Sequence, residues 1–449
     1  MNLRLGLGSA VLGIVLGGCR GEDISFDCEN QRQRLNDRAD EEEQALVDVP
    51  AKGPYPVGVQ ISADGINRLL ASVIDEDVPF AGSVPFGILP QGPADAAFQP
   101  TSAPVIEFAA TPGCRNCVLF HLDFGVQLTS EGLPLSAGAG FVDLEVPLVL
   151  ESDEATGTST LVAKYGDAQI GPWKLVVFGF DSDQHEVLAG ALKILLQEEI
   201  QTNYGDVELL ELGSWQIGQG DVRLLARELF VTPDADPTDD VDDGKIVLAM
   251  HTNLALPPGI GLDLSQPLPP ASVMLVSMDP RLLLAMAHRM LAEGEIARFY
   301  NEDGEPDPEG IYGVSLEDIA PSPQLDDTLD SDFDVWRVAD GYCGFAKVIM
   351  PLRLGVDMAF QHLTVEAGDA VPVGGEGSPA QAKEEKKLVD ENQHLIDQFR
   401  EDLAAQLENT INYEALVLED SDIAFINQGV LVSPTELTSF LDFVVLARE

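Results

Sequence analysis

Apolar residues recur along the chain with two periods. Between Val118 and Leu128 they alternate, at Val118, Phe120, Leu122, Phe124 and Val126, and Val142 to Leu150 repeats the pattern. From Val348 to Phe360, Met350, Leu352, Leu354, Val356 and Met358 alternate against Arg353, Gly355, Asp357 and Ala359. A period of two predicts strands with one apolar face. Four other stretches follow the helical period: Ile66, Leu69, Leu70, Val73 and Ile74; Val187, Leu188, Ala191, Leu192 and Leu195; Leu282, Leu283 and Leu284 with Met286 and Met290; and the row Leu395, Phe399, Leu403, Leu407 and Ile411. Asp64 and Asp279 are the expected N-caps of two of these helices, and Pro280 suits a first helical position.

Shifting the second half back by 215 residues lays Val276-Ser277-Met278-Asp279 on Ile61-Ser62-Ala63-Asp64, and Arg400-Glu401-Asp402-Leu403-Ala404 on His185-Glu186-Val187-Leu188-Ala189. At a shift of 201, Asp422-Ile423 meets Asp221-Val222, and Leu431-Val432-Ser433-Pro434 meets Phe230-Val231-Thr232-Pro233. Val445-Leu446-Ala447 then falls on Val247-Leu248-Ala249. Matches in one order point to a tandem duplication. The fold class expected is α+β: two tandem domains, each a long curved antiparallel sheet wrapped around two long helices. The first is expected at 55–256 and the second at 271–449, joined by a Pro-rich linker at 257–270. Acidic loops are expected at Asp234 to Asp243, Asn301 to Glu309 and Leu325 to Asp334, and a Gly-, Pro- and Lys/Glu-rich stretch from Gly368 to Lys387 leads into the last helix.

This plan resembles the tubular lipid-binding superfamily typified by bactericidal permeability-increasing protein. The resemblance is carried by Val59 to Asp64 followed by Ile66-Asn67-Arg68-Leu69-Leu70, and by Met274 to Asp279 followed by Leu282-Leu283-Leu284. It implies an apolar channel for acyl chains and no catalytic residues. The lining it implies is Ile66, Leu69, Leu70, Val73, Val187, Leu188, Leu192 and Leu195 in the first half, and Leu282, Leu283, Leu395, Phe399, Leu403 and Leu407 in the second. Members that bind lipopolysaccharide use clustered Lys and Arg, which this chain lacks.

Charge narrows the partners. Of 449 residues, 76 are Asp or Glu and 25 are Lys or Arg, a net charge of -51 that excludes a polyphosphate backbone and disfavours an anionic membrane. With 45% apolar residues the chain is nevertheless composed to fold.

The N-terminus sets the compartment. One charge, Arg4, precedes an apolar run from Leu5 to Leu16 that is too short to span a bilayer, and Leu16-Gly17-Gly18-Cys19 looks like a bacterial lipobox. Residues 1–18 are thus expected to be a lipoprotein signal peptide, Cys19 the lipid-attachment site and 19–54 a polar tether. Of the remaining cysteines, Cys114 with Cys117 and Cys28 with Cys343 are the favoured disulfide pairs among three possible pairings. His121 falls on the polar face of a strand and reads as a solvated histidine, not a zinc ligand. The six histidines show no metal-ligand spacing, no nucleophile elbow or phosphate loop occurs, and no cofactor, metal or catalytic set is expected. The function expected is a non-enzymatic, lipid-anchored envelope protein, on the outer membrane facing periplasm or cell surface. It would bind or shuttle a lipid or other hydrophobic small molecule. The alternative is a structural or adhesive surface lipoprotein with solid cores and calcium-responsive acidic loops.

Overall fold

The computed structural model describes residues 28–43, 45–50, 53–73, 82–86, 94–108, 114–153, 158–179, 182–203, 206–212, 215–217, 222–233, 244–256, 261–265, 268, 273–339, 342–357, 359, 362–373, 379–411 and 423–445. In chain order the first half holds α1 (Cys28–Glu42), β1 (Val57–Ser62), α2 (Ala63–Val73), β2 (Gly82–Phe86), β3 (Ala94–Pro100), β4 (Val105–Glu107), β5 (Cys117–Ser130), β6 (Leu133–Asp153) and β7 (Thr158–Lys164). It continues with β8 (Gln169–Val177), α3 (Ser182–Asn203), β9 (Asp206–Leu212), β10 (Trp215–Ile217), β11 (Val222–Thr232) and β12 (Lys245–Thr252). The second half holds β13 (Met274–Met278), α4 (Pro280–Glu293), β14 (Phe299–Tyr300), β15 (Tyr312–Pro321), β16 (Thr328–Ala339) and β17 (Tyr342–Asp357). It closes with β18 (His362–Ala367), β19 (Val371–Pro372), α5 (Pro379–Glu391), α6 (Gln393–Ile411), β20 (Ile423–Val432) and β21 (Leu437–Val445).

Sheet dominates. Among the described residues strands account for 52% and helices for 26%, with the sheets curled into half-barrels, which corrects the expectation of two long helices per half. α2 and α4 have 11 and 14 residues, and only α3 and α6, with 22 and 19, are long among the described helices. A sheet that curls closes over its own apolar face and needs less helix to cover it.

Three antiparallel sheets share one core. The central sheet runs β10-β11-β12-β1-β13-β21-β20, so strands from the two halves meet side by side at β1 and β13, with Val59 opposite Val276. β11 bulges against β12 between Ala226 and Glu228, and β20 against β21 between Asn427 and Gly429. The first-half sheet runs β2-β3-β5-β6-β7-β9, with β8 on β6 and β4 on β5; the second-half sheet runs β14-β15-β16-β17-β18, with β19 on β17. Val57, Val276, Leu144, Leu192, Phe333 and Phe399 all belong to the same buried cluster.

Several local expectations change. The cap of α2 is Ser62, not Asp64: the Gly65 amide donates to Ser62 Oγ at 2.9 Å, while Asp64 sits exposed in the first turn. Asp279 does cap α4, accepting from the Arg281 amide at 3.0 Å, with Pro280 at the first helical position. The stretch expected as an acidic loop to Asp334 is largely β16, in which Leu329, Ser331, Phe333 and Val335 face the core and the aspartates alternate with them. Within the Lys/Glu-rich stretch before the last helix lies α5.

The polar tether is also structured in part, because α1 lies on the outer face of β15, β16 and β17. Leu35 is fully buried with Trp336 and Val338, and Phe299 and Phe345 pack beside them. Gly313 makes the seat, since a Cβ there would collide with Leu35. Arg34 stacks 5.4 Å from Phe345, Arg38 pairs with Glu317 at 3.4 Å, and the half-buried Arg298 donates to Glu42 at 2.5 Å. The described part of the connector is likewise docked. The Gly261 amide donates to Asp279 Oδ2 at 3.0 Å, Lys245 Nζ donates to Leu264 O at 3.0 Å, and Leu264 covers Gly58.

Candidate functional site

A continuous apolar surface forms the inner face of the first-half sheet. β5 turns into β6 through Glu131 and Gly132, both at positive φ (49° and 77°), the geometry of a two-residue hairpin turn whose twist matches the strands. Every second side chain then points inward: Val118, Phe120, Leu122, Phe124, Val126 and Leu128 on β5, and Val142, Leu144, Val146 and Leu148 on β6, all at most 5% exposed.

Two glycines curl this sheet. Gly138 and Gly140 hold inner positions on β6, and a Cβ on Gly140 would run into the Lys174 carbonyl oxygen, one on Gly138 into that of Val176. β8 can therefore pair closely along β6, and Trp173 stacks on Phe124 at 5.2 Å, with Phe98 5.7 Å further across. α3 packs against β8 and also against β2, so it bridges the gap between two edges of the curled sheet. Its buried stripe is Leu188, Leu192, Leu196 and Ile200, one residue per turn. Gln197 clamps it to the sheet: its Nε2 donates to Ala168 O at 2.7 Å, and its Oε1 accepts from the Ile170 amide at 2.8 Å. Lys193 Nζ adds a bond to Gly171 O at 3.2 Å.

The interior is almost without polar groups. Tyr165 closes it 5.6 Å from Phe120, and burial raises its phenol pKa. Trp173 adds a polar atom to it: among the described residues its indole Nε1 is buried and has no hydrogen-bond partner. A buried donor left unpaired costs about 1–3 kcal/mol, so such a group calls for a reason.

The predicted lining residues divide. Leu188, Leu192, Leu282, Leu283, Leu395, Phe399, Leu403 and Leu407 are at most 3% exposed and sit in the shared core, packed against protein. Ile66 is half-buried against the same core. Val187 is 61% exposed, because the helical stripe through Leu188 leaves its neighbour outside. The side chains of Leu69, Leu70, Val73 and Leu195 lie outside the described residues, as do Cys19 and the acidic segment 234–243. Cys114 and Cys117 are joined by a disulfide with a Cα separation of 5.6 Å at the start of β5. Cys343 is buried and disulfide-bonded, and the side chain of Cys28 lies outside the described residues. His121 stands on the outer face, 2.6 Å from Asp143. Trp173 was absent from the predicted set, although its alternation with the buried Leu175 and Val177 is visible in the sequence.

Among the described residues no helix is long and apolar enough to cross a membrane, and no three His, Cys, Asp or Glu side chains converge on a cation position. No protein-family profile matches the chain. No curated protein matches it in sequence. Among solved structures it is similar to P47 of Clostridium botulinum E1, at 13% identity and a TM-score of 0.45, over 87% of this chain and 100% of that one. It is also similar to a lipopolysaccharide binding protein, at 10% identity and a TM-score of 0.38, over 88% of this chain and 100% of that one.

Proposed function

We propose that this chain is a non-enzymatic carrier of a hydrophobic molecule bearing acyl chains, held to the outer membrane of a cell envelope through an acylated Cys19. The observation that carries the reading is the unpaired indole N–H of Trp173 inside an apolar half-barrel. An ester carbonyl is the acceptor such a donor lacks, and the acyl chain attached to it suits the surrounding side chains. The ligand enters where α3 bridges the sheet edges, because a single helix is the smallest element that has to move. In the packed state the half-barrel is closed, so binding is coupled to displacement of α3.

The reading includes two tandem domains, 55–256 and 271–449. The strand order supports it: β11-β12-β1 is mirrored by β13-β21-β20 across the β1–β13 pair. So do the bulges, since Ala226 and Asn427 are 201 residues apart, the same shift that aligns the two strands in sequence.

The test is to produce residues 20–449 without the acyl anchor, purify them without detergent and analyse organic extracts by mass spectrometry. A defined acyl lipid is expected, and Trp173→Phe, which keeps the ring and removes the donor, is expected to weaken uptake of added lipid about tenfold. Folded protein that neither retains nor takes up lipid would overturn the reading and favour a solid-core structural lipoprotein.

A further inference from the structure

We propose that the outer face of the second-half sheet carries a binding site for a small zwitterion of the α-amino acid type. The site is separate from the half-barrel interior of the first half and does not depend on the carrier reading. It is an open pocket of about 440 Å³, within the range of small-molecule sites. It lies at the end of β16 and β17 remote from the hairpin that joins them, whereas α1 covers the Trp336 and Phe345 end of the same face.

Strand register builds the pocket. Thr328 on β16 lies opposite Arg353 on β17, and Arg353 lies opposite Glu366 on β18, so the three form one row across the sheet. Leu352 and Leu354, on either side of Arg353, are buried, which turns that row outward. Beside it Pro351 meets Gly368, whose amide donates to Pro351 O at 2.7 Å. A Cβ on Gly368 would stand 2.8 Å from Pro351 Cγ, so glycine keeps this apolar floor clear. Leu325 and Asp326, in the turn before β16, form the wall. Asp327, at a φ of 52°, reverses the chain there, and the Leu354 amide donates to its carbonyl at 2.9 Å. Thr328 Oγ1 donates to Asp326 O at 2.9 Å, so the wall is fixed to both strands by the protein's own bonds.

Charge selects the occupant. Arg353 and Glu366 are opposite charges directly across an antiparallel pair, where side chains ordinarily meet. Here they stay apart: among the described residues no ion pair or hydrogen bond engages the side chains of Arg353, Glu366 or Asp326. One guanidinium and two carboxylates thus line a single opening without compensating one another. A guanidinium offers its planar fork to a carboxylate, and carboxylates accept from an ammonium. A molecule carrying both groups on one carbon answers all three side chains, and Leu325 and Pro351 accept an apolar substituent on that carbon. A bare divalent cation is a poor occupant, because Arg353 repels it and no three acidic side chains among the described residues converge on a cation position. A simple anion is repelled by Asp326 and Glu366.

The test is isothermal titration calorimetry on the full chain with Cys19→Ser, using three probes of similar shape. They are L-leucine, 4-methylpentanoate, which lacks the ammonium, and isoamylamine, which lacks the carboxylate. L-leucine is expected to bind saturably, and about tenfold more tightly than either of the others. Arg353→Gln is expected to weaken leucine binding about tenfold and Glu366→Gln about threefold, both with unchanged melting temperature because the two side chains are exposed. In Arg353→Gln leucine is expected to bind no better than isoamylamine, the signature of a lost carboxylate partner in an otherwise intact pocket. Absence of saturable leucine binding, equal binding of the three probes, or full leucine affinity in Arg353→Gln would each overturn the proposal.

Discussion

Gly140 and Glu42 show how much one position can decide. Gly140 pairs with Leu175 in the β6–β8 ladder, and the Lys174 carbonyl occupies the space a side chain would need. Backbone on both sides leaves no flexible neighbour to yield, so Gly140→Val is expected to destabilise the chain by about 3 kcal/mol or more, read as a lowered denaturant midpoint. Glu42 is a different case. Burial pushes its carboxyl up to about 7, against the pull of the Arg298 guanidinium, and Glu317 adds repulsion. A carboxyl raised in the folded state holds its proton more tightly there than in the unfolded chain, so folding is favoured at low pH. That advantage is lost as pH climbs from the ordinary carboxylate range through about 7. Asp334, raised to about 6 by burial beneath α1, acts in the same direction over a lower window. Most surface carboxylates are already ionised by pH 5.5, which isolates the effect. Between pH 5.5 and 8 the melting temperature of the wild type is expected to fall more than that of Glu42→Gln. Equal slopes would remove Glu42 from the account. Neither residue was legible beforehand: a glycine in a strand and a glutamate in a charged segment look ordinary until the backbone of another strand, or a half-buried arginine, is placed against them.

At the scale of elements, alternation in β5 and β6 was plain because each strand meets water on one side and the core on the other. α1 was not. Its sequence, CENQRQRLNDRADEE, offers a single leucine, Leu35, and one apolar side chain cannot establish a period. The helix is held by tertiary contacts, with Leu35 seated on Gly313 and Arg298 reaching Glu42, not by an amphipathic stripe. β16 was misread for the opposite reason: its aspartates suggested a loop, yet they occupy the face that α1 and the arginines cover. Leu35→Ala is therefore expected to weaken α1 docking by about 2–4 kcal/mol. Hydrogen exchange is expected to rise through residues 28–42 and along β16, while β5 and β6 keep their protection. Unchanged exchange in α1 would mean that the ion pairs of Arg38 and Glu42 hold this region without Leu35. In α3, the stripe through Leu188, Leu192, Leu196 and Ile200 could have been found by counting fours. Val187 was drawn into the set by adjacency, which in a helix means a turn of about 100° away from the stripe.

For the whole molecule, the decisive feature is that the two halves do not each own a closed core. β1 is flanked by β12 of its own half and β13 of the other, and the buried cluster runs without a break from Phe124 through Met274 to Phe399. Separating the halves would strip backbone partners from two strands that are buried on both sides, leaving unsatisfied amides and carbonyls in place of a solvated edge. The connector adds to this coupling, because Asp279 at once caps α4 and binds the Gly261 amide. Repeat arithmetic suggested two domains in series; the shared central sheet predicts that they unfold as one cooperative unit. The chain carries three tryptophans, two of which report separate halves: Trp173 in the half-barrel and Trp336 under α1. Variants that retain only one or the other, with the remaining tryptophans changed to Phe, are expected to melt at the same temperature by fluorescence once each is referenced to its calorimetric midpoint. If Trp173 and Trp336 instead report transitions well separated on that scale, the central sheet divides between β1 and β13, and each half can open for a ligand without the other.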